Sequence, residues 1–229
     1  MKTSKKVGPQ VSARDFLPTK LSLGNLRRAA ADCKGCPLYE NATHTVFGEG
    51  SANARLMLLG EQPGDAEDRE CRPFVGPAGR LLREVLADVG IDFEEAYVTN
   101  AVKHFKWTPR GKRRLHAKPN SREVNACRPW LHAEIAVVNP TLIVCLGATA
   151  AQSLLGSGFR VTRERGKIIT GSDLPPILAT YHPSALLRAP DEASRRAMRR
   201  EFMADLRRAA GFVELESRRT TRKSRRESV

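Results

Sequence analysis

Four polar side chains stand where apolar runs of this chain stop, and their types could break and remake a bond. Glu61 and Gln62 follow Leu56, Met57, Leu58, Leu59 and Gly60. Asn100 lies near the end of AYVTNAV, and His182 follows PPILATY and precedes Pro183 and Ser184. A carboxylate can stabilise developing positive charge or orient a nucleophile, an imidazole can donate to developing negative charge, and a side-chain amide can read a donor and acceptor pattern. For a single Asn or His a satisfied turn residue is the ordinary reading. Convergence of several polar groups at strand ends is what raises these above it.

A second set of residues is basic. Residues 103–118, KHFKWTPRGKRRLHAK, hold seven lysines and arginines and no acid, with Phe105 and Trp107 interleaved. Pro109, Gly111 and Pro119 forbid a regular helix, so a loop is expected. Cations with exposed aromatics suit a nucleic-acid strand, phosphates taking the charge and bases the ring faces; a solvated loop is the alternative. Residues 217–229 carry six basic residues against Glu227 but no aromatic, which allows only non-specific phosphate affinity.

The third set is the cysteines. Cys33 and Cys36 form a C-x-x-C knuckle closed by Pro37, Cys127 and Cys145 lie far downstream, and Cys71 sits alone in an acidic stretch. In a chain with no sign of secretion, this usage points to thiolate ligation of a metal more than to disulfides. A compact zinc ribbon would keep its second pair close. The wide spacing argues for a centre tying the N-terminal helix to the core, such as an iron–sulfur cluster on Cys33, Cys36, Cys127 and Cys145. Buried structural cysteines beside an incidental C-x-x-C are the alternative.

The elements that must position these groups follow from periodicity. Residues 56–59 read as a strand covered on both faces, ended by Gly60. A long loop then carries five acids and Phe74 before a helix over 78–89 with Leu81, Leu82, Val85, Leu86 and Val89 on one face. Residues 96–102, 141–146 and 176–181 read as further strands. Helices are expected over 21–32, 120–138, 148–155 and 191–210, and a hairpin over 161–170. Strands alternating with helices make a three-layer α/β/α sandwich around a central four-stranded parallel sheet. Its carboxyl edge would gather Glu61, Gln62, Asn100, Gly147 and His182. Residues 1–20 and 213–229 are expected to be disordered, leaving one domain over 21–212.

Composition agrees with one core: 229 residues, 41% of them hydrophobic. No stretch approaches a membrane span and the N-terminus lacks a signal-peptide core, so an intracellular, soluble protein is expected. The formal net charge of +14 favours a polyanionic partner.

GEQPGDAEDRECRPFVGPAGRLL from Gly60, VTNAVKHFKW from Val98, the cysteine arrangement and HPSALLR from His182 resemble the family 4 uracil-DNA glycosylases. The resemblance covers roughly residues 33–208. Gln62, where ordinary members typically carry Ala, and the insertion RGKRRLH ending at His116 resemble the UdgX subgroup, whose members become covalently attached to DNA through that histidine. Cys71 departs from the family, which commonly has Gly there.

The resemblance implies a uracil-DNA glycosylase-like fold, a four-iron cluster and uracil-containing DNA as partner, with single strands favoured. It also implies a monomer in the bacterial cytoplasm, near the nucleoid. Gly60, Phe74 and Asn100 would bind the flipped uracil, Phe74 by stacking and Asn100 by pairing with O4 and N3–H, a pattern cytosine reverses. His182 would hydrogen-bond uracil O2, Glu61 would face the sugar, and Gln62 would sit beside them. His116 would attack the anomeric carbon as a neutral imidazole, kept so by Arg113 and Arg114, which with Lys112 would also hold phosphates. Turnover glycosylase action, with water as nucleophile, and non-catalytic nucleic-acid binding are the alternatives.

Overall fold

The computed structural model describes residues 12–171 and 173–227. In chain order the elements are α1 (Leu23–Ala31), β1 (Leu56–Gly60), α2 (Asp65–Glu70), α3 (Pro77–Asp88), β2 (Tyr97–Asn100), β3 (Trp107–Arg110) and β4 (Arg113–His116). Then come α4 (Ser121–Val138), β5 (Leu142–Leu146), α5 (Ala148–Leu155), α6 (Val161–Glu164), β6 (Ile168–Ile169), β7 (Ile177–Thr180), α7 (Pro183–Leu187) and α8 (Glu192–Glu227).

The main sheet has the order β2-β1-β5-β7-β6. β2, β1, β5 and β7 are mutually parallel, and the two-residue β6 adds an antiparallel edge, so the expected four parallel strands gain a fifth. Successive side chains of a strand point to opposite faces. Leu56, Leu58, Val98, Leu142, Val144, Leu146 and Leu178 therefore pack with Leu82, Val85 and Leu86 of α3 and Phe202 and Leu206 of α8. Met57, Leu59, Tyr97, Ile143, Ile177 and Ala179 pack with Leu131, Ile135 and Val138 of α4 and Ala150 and Ala151 of α5. Both faces are dry, which is why β1 and β5 read as unbroken apolar runs. Each fully buried Leu or Val contributes roughly 1.5–3 kcal/mol relative to exposure.

Several expectations change. The acidic stretch after β1 contains α2, because Glu67 turns back to accept the Gly64 N–H at 3.1 Å and also holds the Gly76 N–H at 2.8 Å, closing both ends of the segment. The basic loop is an antiparallel ribbon, β3 with β4, pairing Trp107 with His116 and Arg110 with Arg113. Pro109 is tolerated because a two-stranded ribbon leaves alternate N–H groups facing solvent. Residues 161–170 are not a hairpin: 161–164 coil into α6 and Ile168–Ile169 pair with β7, whose edge offers the free ladder.

The two ends also differ from the sequence reading. α8 continues to Glu227, since no Pro interrupts it and i,i+4 pairs such as Arg218 with Glu214 support its exposed turns. At the other end, Ser12 caps a short 3-10 turn, Ala13–Phe16, and Ala13 is buried. Residues 1–11 lie outside the described residues.

Candidate active site

At the carboxyl edge of the sheet, Gly60, Phe74, Asn100 and His182 lie together. Gly60 ends β1 and pairs with Asn100 at the end of β2. A Cβ on Gly60 would collide with Asn100 Oδ1 and come within 2.8 Å of Phe74 Cζ, so both side chains lie directly over the glycine. Phe74 holds a left-handed backbone, φ 56°, and its ring stacks toward His182 with centroids 6.4 Å apart and planes 28° from parallel. A bulky residue at positive φ is strained, and here the ring so held faces His182.

His182 caps α7. Its Nδ1 accepts the Ser184 N–H at 3.1 Å, so in the neutral ring the proton sits on Nε2 and that nitrogen is a donor. Burial, with the charges of Arg188 and His116, pushes its pKa down to about 4, so the ring is neutral near pH 7.

The ribbon brings His116 to the same edge. His116 Nε2 lies 2.9 Å from Gln62 Nε2 and 3.6 Å from Glu61 Oε1, and the imidazole is about half exposed, 49%. Gln62 is buried, and its Oε1 accepts the Lys106 N–H at 3.1 Å, which fixes the orientation of the amide. Its NH2 group then faces the carbonyls of Ala117 at 3.0 Å and Lys106 at 3.2 Å as well as His116. Two hydrogens thus meet three acceptors, and His116 Nε2 takes part through its lone pair. Burial lowers the His116 pKa and Arg188 adds to that, while Glu61 opposes it.

The two arginines of β4 differ in their surroundings: Arg113 is exposed and Arg114 is not. Arg114 is turned inward: its guanidinium pairs with Asp65 at 2.5 Å and with the fully buried Asp68 at 2.6 Å, and lies over the rings of Phe105 and Trp107. These pairs tie β4 to α2. His116 shares this inward face because it follows Arg114 by two residues. Lys103 is fully buried against Glu134 at 2.5 Å, where it also donates to the Asn100 carbonyl at 2.8 Å, and Lys106 pairs with Glu123. Arg110, Lys112, Arg113 and Lys118 stay exposed, a smaller basic surface than the sequence count implied.

The cysteines divide three and one. Cys33, Cys36 and Cys127 share a buried cluster with Trp130, Phe47 and Val102, between α1 and α4. The Lys103 N–H donates to Cys127 Sγ at 3.3 Å and the Trp130 indole to Cys33 Sγ at 3.2 Å. Cys145 is elsewhere, paired within the sheet to Leu59 and Ala179 and packed among strand and α5 side chains. Burial alone raises its pKa, whereas Cys127 also feels Cys36 and Cys33. Cys145 thus lies in a different cluster from the other three, on β5 in the middle of the sheet. Among the described residues no group of three or more His, Cys, Asp or Glu is close enough to hold a single metal ion.

Sequence reasoning missed Thr149, whose hydroxyl donates to Glu61 Oε2 at 2.5 Å, and Arg188, whose charge acts on both histidines. It also missed Asp65 and Asp68 as the anchor for the ribbon. Their i,i+3 spacing on α2 was visible, but its partner was not.

A parallel sheet whose carboxyl edge carries an aromatic, an amide, a carboxylate and a histidine close together defines a class that comparison with known sequences identifies. The chain belongs to the uracil DNA glycosylase superfamily, whose family model matches residues 47–207. It is 38% identical over 185 residues to a type-4 uracil-DNA glycosylase of Thermotoga maritima, covering 80% of this chain and 91% of that protein. A type-4 uracil-DNA glycosylase of Pyrobaculum aerophilum is 35% identical over 194 residues, 81% of this chain and 92% of that protein. The type-5 enzyme of the same organism is 29% identical over 154 residues, 60% of this chain and 64% of that protein. Among the described residues no helix is long and apolar enough to cross a membrane.

Proposed function

We propose that this chain excises uracil from DNA and that His116 then captures the deoxyribose, joining protein and DNA covalently. Membership of the superfamily and the type-4 relatives support excision. The observation that carries capture is the seat of His116, whose Nε2 lone pair meets Gln62 and lies 3.6 Å from the Glu61 carboxylate.

A base must leave the stack to reach such a site, and a single strand supplies it at least cost. Phe74 offers a stacking face, and the Asn100 amide pairs with uracil O4 and N3–H. Cytosine would leave both amide groups unpaired in a buried site. As the N-glycosidic bond breaks, its electron pair passes to uracil N1 and delocalises to O2, where His182 Nε2–H donates. The sugar becomes positive opposite Glu61.

His116 then forms the new bond to C1′ with Nε2, keeping its proton on Nδ1, so the adduct is an imidazolium beside the Glu61 carboxylate. Gln62 can release the lone pair without loss, because its two hydrogens retain the Ala117 and Lys106 carbonyls. Loss of the Nδ1 proton to solvent at the half-exposed ring leaves a neutral N-substituted imidazole, whose departure from C1′ would require an imidazolate leaving group, so the protein acts once.

We also read Cys33, Cys36 and Cys127 as ligands of an iron–sulfur cluster, of the four-iron kind by the resemblance to family 4. The donor set fits in part: three thiols share one buried cluster, and two of them accept N–H bonds of the sort that steady thiolate charge. A cluster spans wider separations than a single ion. For the fourth position, Cys145 lies in another cluster, and His104, buried and next in the chain to Lys103, has its Nε2 2.8 Å from Thr45 Oγ1. The cluster would cross-link α1 to α4, and no step of the reaction passes through it.

The test is a labelled single-stranded oligonucleotide with one uracil, mixed with the protein, heated in detergent and run on a denaturing gel beside an alkali-treated sample. A protein–DNA band that survives heating, absent with thymine, supports capture. His116→Ala should abolish that band, and His116→Ser should release uracil with turnover by admitting water. Free DNA that breaks only after alkali would instead identify a turnover glycosylase, and no uracil release at all a binding protein.

A further inference from the structure

Glu61 has two carboxylate oxygens with different surroundings. Oε1 is the one nearest His116 Nε2, at 3.6 Å, and carries no hydrogen bond among the described residues. Oε2 accepts from Thr149 Oγ1 at 2.5 Å, the only side-chain hydrogen bond that the carboxylate receives among the described residues. A glutamate at the end of a strand has three rotatable bonds, and one strong bond to one oxygen is what selects among its rotamers.

Thr149 is itself well held. It is buried, 7% exposed, in the first turn of α5, directly after the turn at Gly147. Gly147 has φ 91°, and a Cβ there would lie 3.0 Å from the Cβ of His182. The turn between β5 and α5 is therefore wedged against the backbone of His182 on one side and presents Thr149 to Glu61 on the other. It spans the two groups that face opposite charges in the reaction, and β-branched Thr149 has few rotamers in a helix with which to drift.

We propose that Thr149 is a positioning residue: its hydroxyl locks Glu61 Oε2 so that Oε1 faces the anomeric carbon and His116. The inference rests on the reading of Glu61 as the group that faces the sugar. A misplacement of about 1 Å in such a group can cost about 100-fold in rate. The loss should therefore fall on the bond-breaking step and leave binding of the DNA alone.

The experiment compares wild type with Thr149→Val, Thr149→Ser, Glu61→Gln and the Glu61→Gln/Thr149→Val double variant. The single-turnover rate of uracil release is measured on a single-stranded oligonucleotide. Affinity is measured separately with the same oligonucleotide carrying a 2′-fluoro group, which resists cleavage. Val, which keeps shape and removes the hydroxyl, should slow release by about 10- to 100-fold with affinity within about twofold, and Ser should restore the rate to within about threefold. Because Thr149 acts through Glu61, the double variant should be no slower than Glu61→Gln alone.

Wild-type release by Thr149→Val, or a double variant slowed by the full product of the single effects, overturns the proposal while leaving Glu61 in its role. Wild-type release by Glu61→Gln removes the role of Glu61 and that of Thr149 with it.

Discussion

Replacing Arg114 by Met should separate capture from excision. The methionine stem keeps contact with Phe105 and Trp107 but removes the charge that ties β4 to α2. Breaking a buried ion pair costs about 3–5 kcal/mol when the remaining charge is left without partners. Asp68 is not left so, because the N–H groups of Thr43 and His44 still donate to it at 3.0 and 3.2 Å. The Asp65 side chain is 44% exposed, so water replaces most of that second pair. About 2 kcal/mol is the reasonable figure, and it falls on the ribbon, which has no core of its own.

At 1.4 kcal/mol per tenfold, capture by His116 should slow by up to about 30-fold. Uracil should still be released, since Phe74, Asn100 and His182 lie on other elements. The assay is single-turnover quenching of the variant on a labelled uracil oligonucleotide, with the covalent band and free uracil measured from the same samples. Melting should fall by no more than about 8 °C. Undiminished capture, or loss of capture and release by one common factor, would refute the anchoring role.

Three further outcomes follow from the geometry. Capture needs a neutral His116, whose pKa lies below its ordinary value of about 6.5. Capture should hold from pH 8 to about 6.5 and fall at lower pH, while His182, at about 4, lets release persist further into acid. For both histidines the folded pKa is below the unfolded one, so the unfolded chain binds more protons under about pH 6.5. Thermal melts should show stability declining as pH drops through that window. Cys33→Ser, Cys36→Ser and Cys127→Ser should each lose iron on metal analysis and the broad visible absorbance of an iron–sulfur centre, whereas Cys145→Ser should keep both; a colourless wild type purified without air would sink the cluster. Gly60→Ala should cost release about 100-fold or more with little change in melting, because its methyl group fills the space of Asn100 Oδ1 and Phe74 Cζ.

Much of the fold was legible because burial on both faces writes itself as continuous apolar runs at β1 and β5, and burial on one face as the Leu82, Val85 and Leu86 stripe of α3. The gathering of Glu61, Asn100 and His182 at the carboxyl edge was legible for the same reason: the ends of such runs are that edge of the sheet. The partners of charges were not. Lys103, Lys106 and Arg114 look alike in a basic run, yet Glu134, Glu123 and Asp68 take them out of solvent, and those contacts join distant parts of the chain. That Cys145 sits in a different cluster from the other three was not legible, because an apolar strand carries no mark of where it lies in the sheet order. α8 was cut short because its charged continuation has too little apolar periodicity to announce a helix.

The β3–β4 ribbon contributes no layer to the sandwich and only Phe105, at its base, to the buried interior. It is fastened by a few ionic and amide bonds to α2 and to the residue after Glu61. On the proposed reading, the fate of the sugar therefore resides in an appendage that could be gained, loosened or lost while the sheet edge that meets the base stayed whole. A protein that worked this way would divide recognition from retention: the sheet would decide which nucleotide is opened, and a short arm whether the lesion is handed on or kept covered by the molecule that found it.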